Sequence, residues 1–115
     1  VIATELMYRE KSNNRVVDKI YKVLADNNRR KILMLLNKSE YSVGELGVHF
    51  NISQATLSSH LSILKKAGLV ESRVAGKQRI YRIIRDGLIE MVGEVDVLIG
   101  REDLANNRKG RRVNL

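Results

Sequence analysis

"SVGELGVHFNISQATLSSHLSILKKAG", residues 42–68, contains two helix starts within one short run. Ser42 followed by Glu45 has the spacing of a capping box, and Val43, Leu46 and Phe50 give the helix it opens one apolar side. Asn51 and Ile52 leave room only for a tight connection before Ser53, a second N-cap residue. The helix that Ser53 opens is expected to run to about Ala67 and stop at Gly68, a residue free to take the left-handed conformation common past helix ends. A short helix, a turn and a second helix make a helix-turn-helix.

The second helix has an unusual composition for a basic chain. At about 100° per residue, Leu57, Leu61 and Leu64 share one side, and Ala55, Ser59, Ser62 and Lys66 lie opposite them. Gln54 and Thr56 fall in the first turn, with Ser58 beside them. A solvated face is normally filled with Glu, Lys and Arg, whereas serine is a mediocre helix former. The major groove of DNA accounts for the choice: it admits a helix whose outward side chains are short yet able to bond base edges. Gln54 can bond adenine in two places, and a small apolar contact can read a thymine methyl. Cations then belong at the margins, where phosphates lie, and Lys65, Lys66, Arg73, Lys77, Arg79 and Arg82 occupy those positions.

Outward from this core motif, residues 15–25 place Val16, Val17, Ile20, Val23 and Leu24 at helical spacing. Asp26 is the expected N-cap of a following helix, "NNRRKILMLLNK", whose run Ile32 to Leu36 is expected at the centre of the core. After Gly68 the period becomes extended: "LVESRV", "AGK" and "QRIYRII" read as a hairpin with Gly76 at its tip. Alternation of Ile80 and Ile84 with Arg79 and Arg85 predicts one packed face and one wet one. Asp86 is the expected cap of a last helix, in which Leu88, Met91, Val92, Val95, Leu98 and Ile99 form an apolar stripe. The fold class is therefore mainly α with a small two-stranded hairpin, a winged helix-turn-helix of about five helices. Residues 1–100 form the DNA-binding and dimerisation domain, and 101–115 are expected to be a basic, flexible tail carrying Arg108, Lys109, Arg111 and Arg112.

Composition narrows the function further. The 115 residues carry a net charge of +8, distributed as +3 over residues 1–52, +6 over 53–85, −4 over 86–100 and +3 over 101–115. The positive field is concentrated on the proposed reading segment and suits a polyanion, nucleic acid above all. Cysteine is absent and there are two histidines, which excludes disulfides and thiolate metal sites and leaves a poor metal set. With no apolar run of about 18 residues and no signal-peptide pattern, a soluble cytoplasmic protein is expected. No Gly-rich phosphate loop or Ser/His/Asp set points to catalysis, so neither an enzyme nor a cofactor is expected. The stripes on 16–24 and 88–99 exceed what so small a core can cover, which makes a dimer plausible.

"VLADNNRRKILMLL" and "SVGELGVHFNISQATLSSHLSILKKAGLVESRVAGKQRIYRI" together resemble the arsenic-repressor-like (ArsR/SmtB) family of winged-helix transcription regulators, with Asn27 where that family usually has Pro. The likeness runs from about Lys19 to Leu98. It implies a repressor acting as a symmetric homodimer on a palindromic operator. It places DNA contacts at Gln54, Ala55, Thr56, Ser58 and Ser59 and, in the wing, at Lys77. The dimer interface it implies uses the first and last helices, hence Val16, Val17, Ile20, Leu24, Leu88, Met91, Val92, Val95, Leu98 and Ile99. Gly93 would permit close helix approach there. His60 matches a common family histidine and, flanking the leucine side, is read as a packing or hydrogen-bonding residue. Many relatives sense metals through cysteines where this chain has Ser42 and Gly44, or through Asp and His pairs on the last helix. That helix carries Asp86, Glu90, Glu94 and Asp96 but no histidine, so metal sensing is not expected and the means of DNA release is left open. Two other function classes remain at this stage: a non-specific architectural DNA-binding protein, and a winged-helix module used only for protein contacts.

Overall fold

The computed structural model describes residues 15–103. Helix α1 occupies 15–24. It is followed by α2 (Asn27–Lys38), strand β1 (Tyr41–Ser42), α3 (Val43–Gly47), α4 (Gln54–Lys66), β2 (Val70–Ala75), β3 (Gln78–Ile83) and α5 (Asp86–Leu98). The segment expected to be a flexible tail turns helical again at 102–103. The rest of that segment, with Arg108, Lys109, Arg111 and Arg112, and the residues before Arg15 lie outside the described residues.

Side-chain caps set most of the helix starts. Asp26 Oδ1 accepts from the Arg29 N–H at 3.1 Å and opens α2. Ser42 Oγ accepts from the Glu45 N–H at 3.1 Å while Glu45 Oε1 accepts from the Ser42 N–H at 2.8 Å, completing the capping box of α3. Ser53 Oγ accepts from the Thr56 N–H at 3.0 Å and opens α4. Helix α5 departs from expectation: its N-cap is Arg85, without a side-chain cap bond, and Asp86 is instead the first helical residue. A carboxylate in the first turn still meets the positive end of the helix dipole, so its charge remains favourable there.

The core forms where α1 to α4 meet the base of the hairpin. Leu57, Leu61 and Leu64 of α4 are fully buried, together with Ile20, Ile32 and Leu46. Each such side chain contributes roughly 1.5–3 kcal/mol relative to exposure. The run Ile32 to Leu36 is not uniformly internal. Ile32, Leu33 and Leu36 are buried, but Met34 is 61% exposed, because successive residues rotate about 100° and no helix can hide five in a row on one face.

The sheet has three strands rather than two, in the order β1-β3-β2, all antiparallel. Strand β1 pairs Tyr41 with Tyr81 and Ser42 with Ile80. Its two residues are too few to show a period of two, and Ser42 serves at once as a strand residue and as the cap of α3. In the hairpin Val70 faces Ile83 and Ala75 faces Gln78, leaving Gly76 and Lys77 as a two-residue turn with Gly76 at φ +64°. Only glycine takes that backbone conformation without strain. The packed face differs from the expected one: Tyr81 and Ile83 join the core, so Ile80 points to the other side. Apolar residues at 80, 81, 83 and 84 occupy both alternations, and pairing with the buried Val70 selects between them.

Helix α1 lies against the start of α5. A Cβ on Gly87 would come within 2.7 Å of Ile20 Cδ1, so a larger residue there would displace the Ile20 side chain. The Tyr21 hydroxyl donates to Glu94 Oε1 at 2.9 Å along the same contact. Much of the stripe expected at a subunit interface is therefore used inside the protomer. Val17 and Ile20 are already buried and have no surface to offer a partner; Leu24, Leu88 and Met91 pack on the core. Val92 and Val95 are half-buried, whereas Val16, Leu98 and Ile99 stand 54%, 73% and 59% exposed.

Candidate nucleic-acid interface

Burying Leu57, Leu61 and Leu64 fixes the rotation of α4, and the opposite side necessarily faces out. Ala55, Ser59 and Ser62 are exposed on it, and Gln54, Thr56 and Ser58 are exposed in the first turns beside it. None of the six is charged, and α4 contains no acid; Lys65 and Lys66 lie in its last turn. The Thr56 hydroxyl receives a hydrogen bond from Ser53 Oγ at 2.9 Å and is thus tied to the cap. The remaining hydroxyls and the Gln54 amide are presented on a face thin enough for the helix backbone to approach a groove floor.

A link that no local pattern in the sequence announces ties this helix to α2. Arg29 Nη1 donates to His60 Nδ1 at 3.3 Å, and Arg29 Nε donates to the Val23 carbonyl at 2.6 Å. A guanidinium has no acceptor, so His60 Nδ1 must be the unprotonated nitrogen in this contact. Arg29 thereby joins the end of α1, the start of α2 and the middle of α4. His60 acts as a hydrogen-bonding residue, as its place beside the leucines implied. At the same corner, burial raises the Asp26 carboxyl, but backbone N–H bonds from Arg29 and Asn28 and the Arg29 charge outweigh it. The group titrates below its ordinary value.

The cations at the margins are not equivalent. Lys65 Nζ and Arg79 Nη1 both donate to Ser72 Oγ, at 3.1 and 3.2 Å, which anchors the last turn of α4 to the hairpin. Arg73, expected among the phosphate contacts, is ion-paired with Glu40, and Arg82 is ion-paired with Glu71. Glu40 and Arg73 lie far apart in sequence and meet because β1 joins the sheet, which the two-stranded reading missed. Both pairs are exposed and worth at most about 1 kcal/mol, so exchange of a carboxylate for a phosphate costs little. Lys77 at the wing tip and Lys66 on α4 are exposed without a carboxylate partner among the described residues. His49 is exposed, its ring edge-on to Tyr41 with centroids 6.1 Å apart.

A helix-turn-helix whose second helix presents a small polar face, flanked by a basic hairpin, defines a winged-helix DNA-binding protein. Residues 26–72 match the family model for bacterial regulatory proteins of the arsR family. A helix-turn-helix-type transcriptional regulator of Mycobacterium tuberculosis is 36% identical over 85 residues, spanning 74% of this chain and 79% of that one. The transcriptional repressor SdpR of Bacillus subtilis is 36% identical over 67 residues, spanning 58% and 74% of the two chains. Among solved structures, a homodimeric winged helix-turn-helix DNA-binding domain from Mycobacterium bovis, a possible ArsR-family regulator, superposes with a TM-score of 0.63. Its identity is 30%, and the superposition covers 78% of this chain and 88% of that one. The chain belongs to the ArsR family of winged helix-turn-helix transcriptional regulators.

Proposed function

We propose that this regulator is a repressor that binds a palindromic operator in double-stranded DNA as a homodimer, in the cytoplasm and without catalytic activity. The observation that carries the reading is the uncharged exposed face of α4, from Gln54 to Ser62, bordered by Lys65, Lys66 and Lys77. Gln54, Ala55, Ser58 and Ser59 contact base edges, and Ser62 with the cations contacts phosphates; Arg73 joins them once Glu40 gives way. The dimer is supported by the exposed apolar residues Val16, Leu98 and Ile99 and by the homodimeric Mycobacterium bovis domain, which this chain resembles. Joined through α1 and α5, two copies present their α4 helices about one DNA turn, roughly 34 Å, apart.

Thiolate metal sensing plays no part in release. Ser42 stands where many relatives have a cysteine, and its hydroxyl is occupied by the capping box. The test is competition binding at fixed salt. A specific repressor favours its operator over unrelated duplex by at least about 10³, whereas an architectural protein shows no such preference.

A further inference from the structure

We infer that the cleft between α2 and α5 binds an amphipathic anion, a carboxylate carried on an apolar tail. The cleft has a volume of about 480 Å³, within the range of roughly 300–1,000 Å³ typical of small-molecule sites. Its walls are apolar: Leu33 and Met34 come from α2, and Leu88, Ile89 and Val92 from α5, where Leu88 and Val92 border the surface expected to join the copies. Met34, the residue of the Ile32 to Leu36 run that the core does not use, opens onto it.

Two of the three polar side chains at the rim, Arg30 and Arg85, are cationic, and the third is the Asn37 amide. Arg30 Nη1 is held by the Leu24 carbonyl at 2.6 Å, and Arg85 Nη2 donates to Asn37 Oδ1 at 2.9 Å. Leu24 and Asn37 also line the cleft, so both guanidinium groups are pinned beside it by neutral oxygens. Arg73 and Arg82 elsewhere each hold a carboxylate, but among the described residues Arg30 and Arg85 hold none. Each keeps further N–H groups available, and a guanidinium bonds a carboxylate through two of them at once. Apolar walls give nothing to a bare inorganic anion, while uncompensated cations over those walls favour an anionic head with a hydrocarbon or aryl body.

An occupant would contact α2, whose other side packs on α4, and α5, so the site is placed to couple a ligand to the reading helix. Binding itself does not depend on the operator reading, and the test therefore uses protein without DNA. Dodecanoate is titrated into the full chain by calorimetry, with inorganic phosphate as the control. One dodecanoate per protomer should bind saturably and phosphate should not. The double variant Arg30→Gln, Arg85→Gln should weaken dodecanoate by about tenfold or more, since at least one charge-assisted bond is lost. Met34→Trp, which fills the cleft from an exposed position, should abolish binding with an unchanged circular dichroism spectrum. In the unaltered protein the Met34 methyl resonance should shift on addition of dodecanoate, a readout that needs no variant beyond the one used for assignment. Absence of saturable binding, unaltered affinity in both variants or a stationary Met34 resonance would overturn the inference. So would a shift of Met34→Trp from dimer to monomer on sedimentation, since the cleft would then be a contact between copies.

Discussion

Helices α4 and α5 are each 13 residues long and are built for opposite surroundings. Every leucine of α4 is fully buried in its own protomer, and its exposed surface from Gln54 to Ser62 is uncharged and rich in hydroxyls, with Lys65 and Lys66 in the last turn. In α5 the apolar stripe runs out of cover: Leu88 and Met91 pack on the core, Val92 and Val95 are half-buried, and Leu98 stands in solvent with Ile99 just beyond. Its charged residues are all acidic, where α4 has only bases. A helix that spends its apolar side internally has its outer face free for a polar ligand; one that does not needs a second protein surface. The difference divides the labour of the molecule between reading DNA and pairing copies.

That division can be broken at several points. Leu61→Ala removes a fully buried side chain from α4 and should cost about 2–5 kcal/mol of stability, read by denaturant unfolding. A loss below 1 kcal/mol would mean that α4 does not depend on the core for its rotation. Leu98→Asp changes a residue the protomer does not cover, so each copy should stay folded while the dimer is weakened by roughly 2 kcal/mol or more. Sedimentation at micromolar concentration should show monomers, and an intact dimer would move the contact away from α5. Gln54→Ala should cost about 1–3 kcal/mol on the cognate site alone; an unchanged preference ratio would remove Gln54 from base reading. Lys77→Ala should instead weaken all sequences alike and lower the salt slope by about one. The smallest effect is expected at Asp26. Its depressed titration means that the ionised cap stabilises the fold above the unfolded value and is lost as pH falls through the folded one. Asp26→Asn keeps the cap but not the titration, so its Tm should fall less steeply than that of the unaltered protein below about pH 4.

Local chemistry made α4 readable in advance, because a cap, a heptad-like spacing of leucines and a terminating glycine act within one segment. The capping box of α3 was legible for the same reason, and the exposed hydroxyl face followed by elimination. What escaped depended on distant pairings. Strand β1 has two residues and no pattern of its own; it exists because β3 offers an edge. The packed face of β3 was misassigned because both alternations carry isoleucine, and only Val70 across the ladder decides between them. The Glu40–Arg73 pair and the Arg29–His60 link join residues far apart in sequence, where periodicity says nothing. On α1, much of the stripe expected to face a partner is consumed by the core of the same chain, a distinction between two apolar neighbours that composition cannot make.

Selection of bound fragments from a random duplex pool, followed by footprinting of the winner, tests the central claim most directly. Two α4 helices held by joined α5 surfaces should enrich an inverted repeat whose half-site centres lie about 10–10.5 base pairs apart, with protection of both halves lost together in Leu98→Asp. A pool that returns no common sequence, or one undivided site protected equally by the Leu98→Asp monomer, would contradict it.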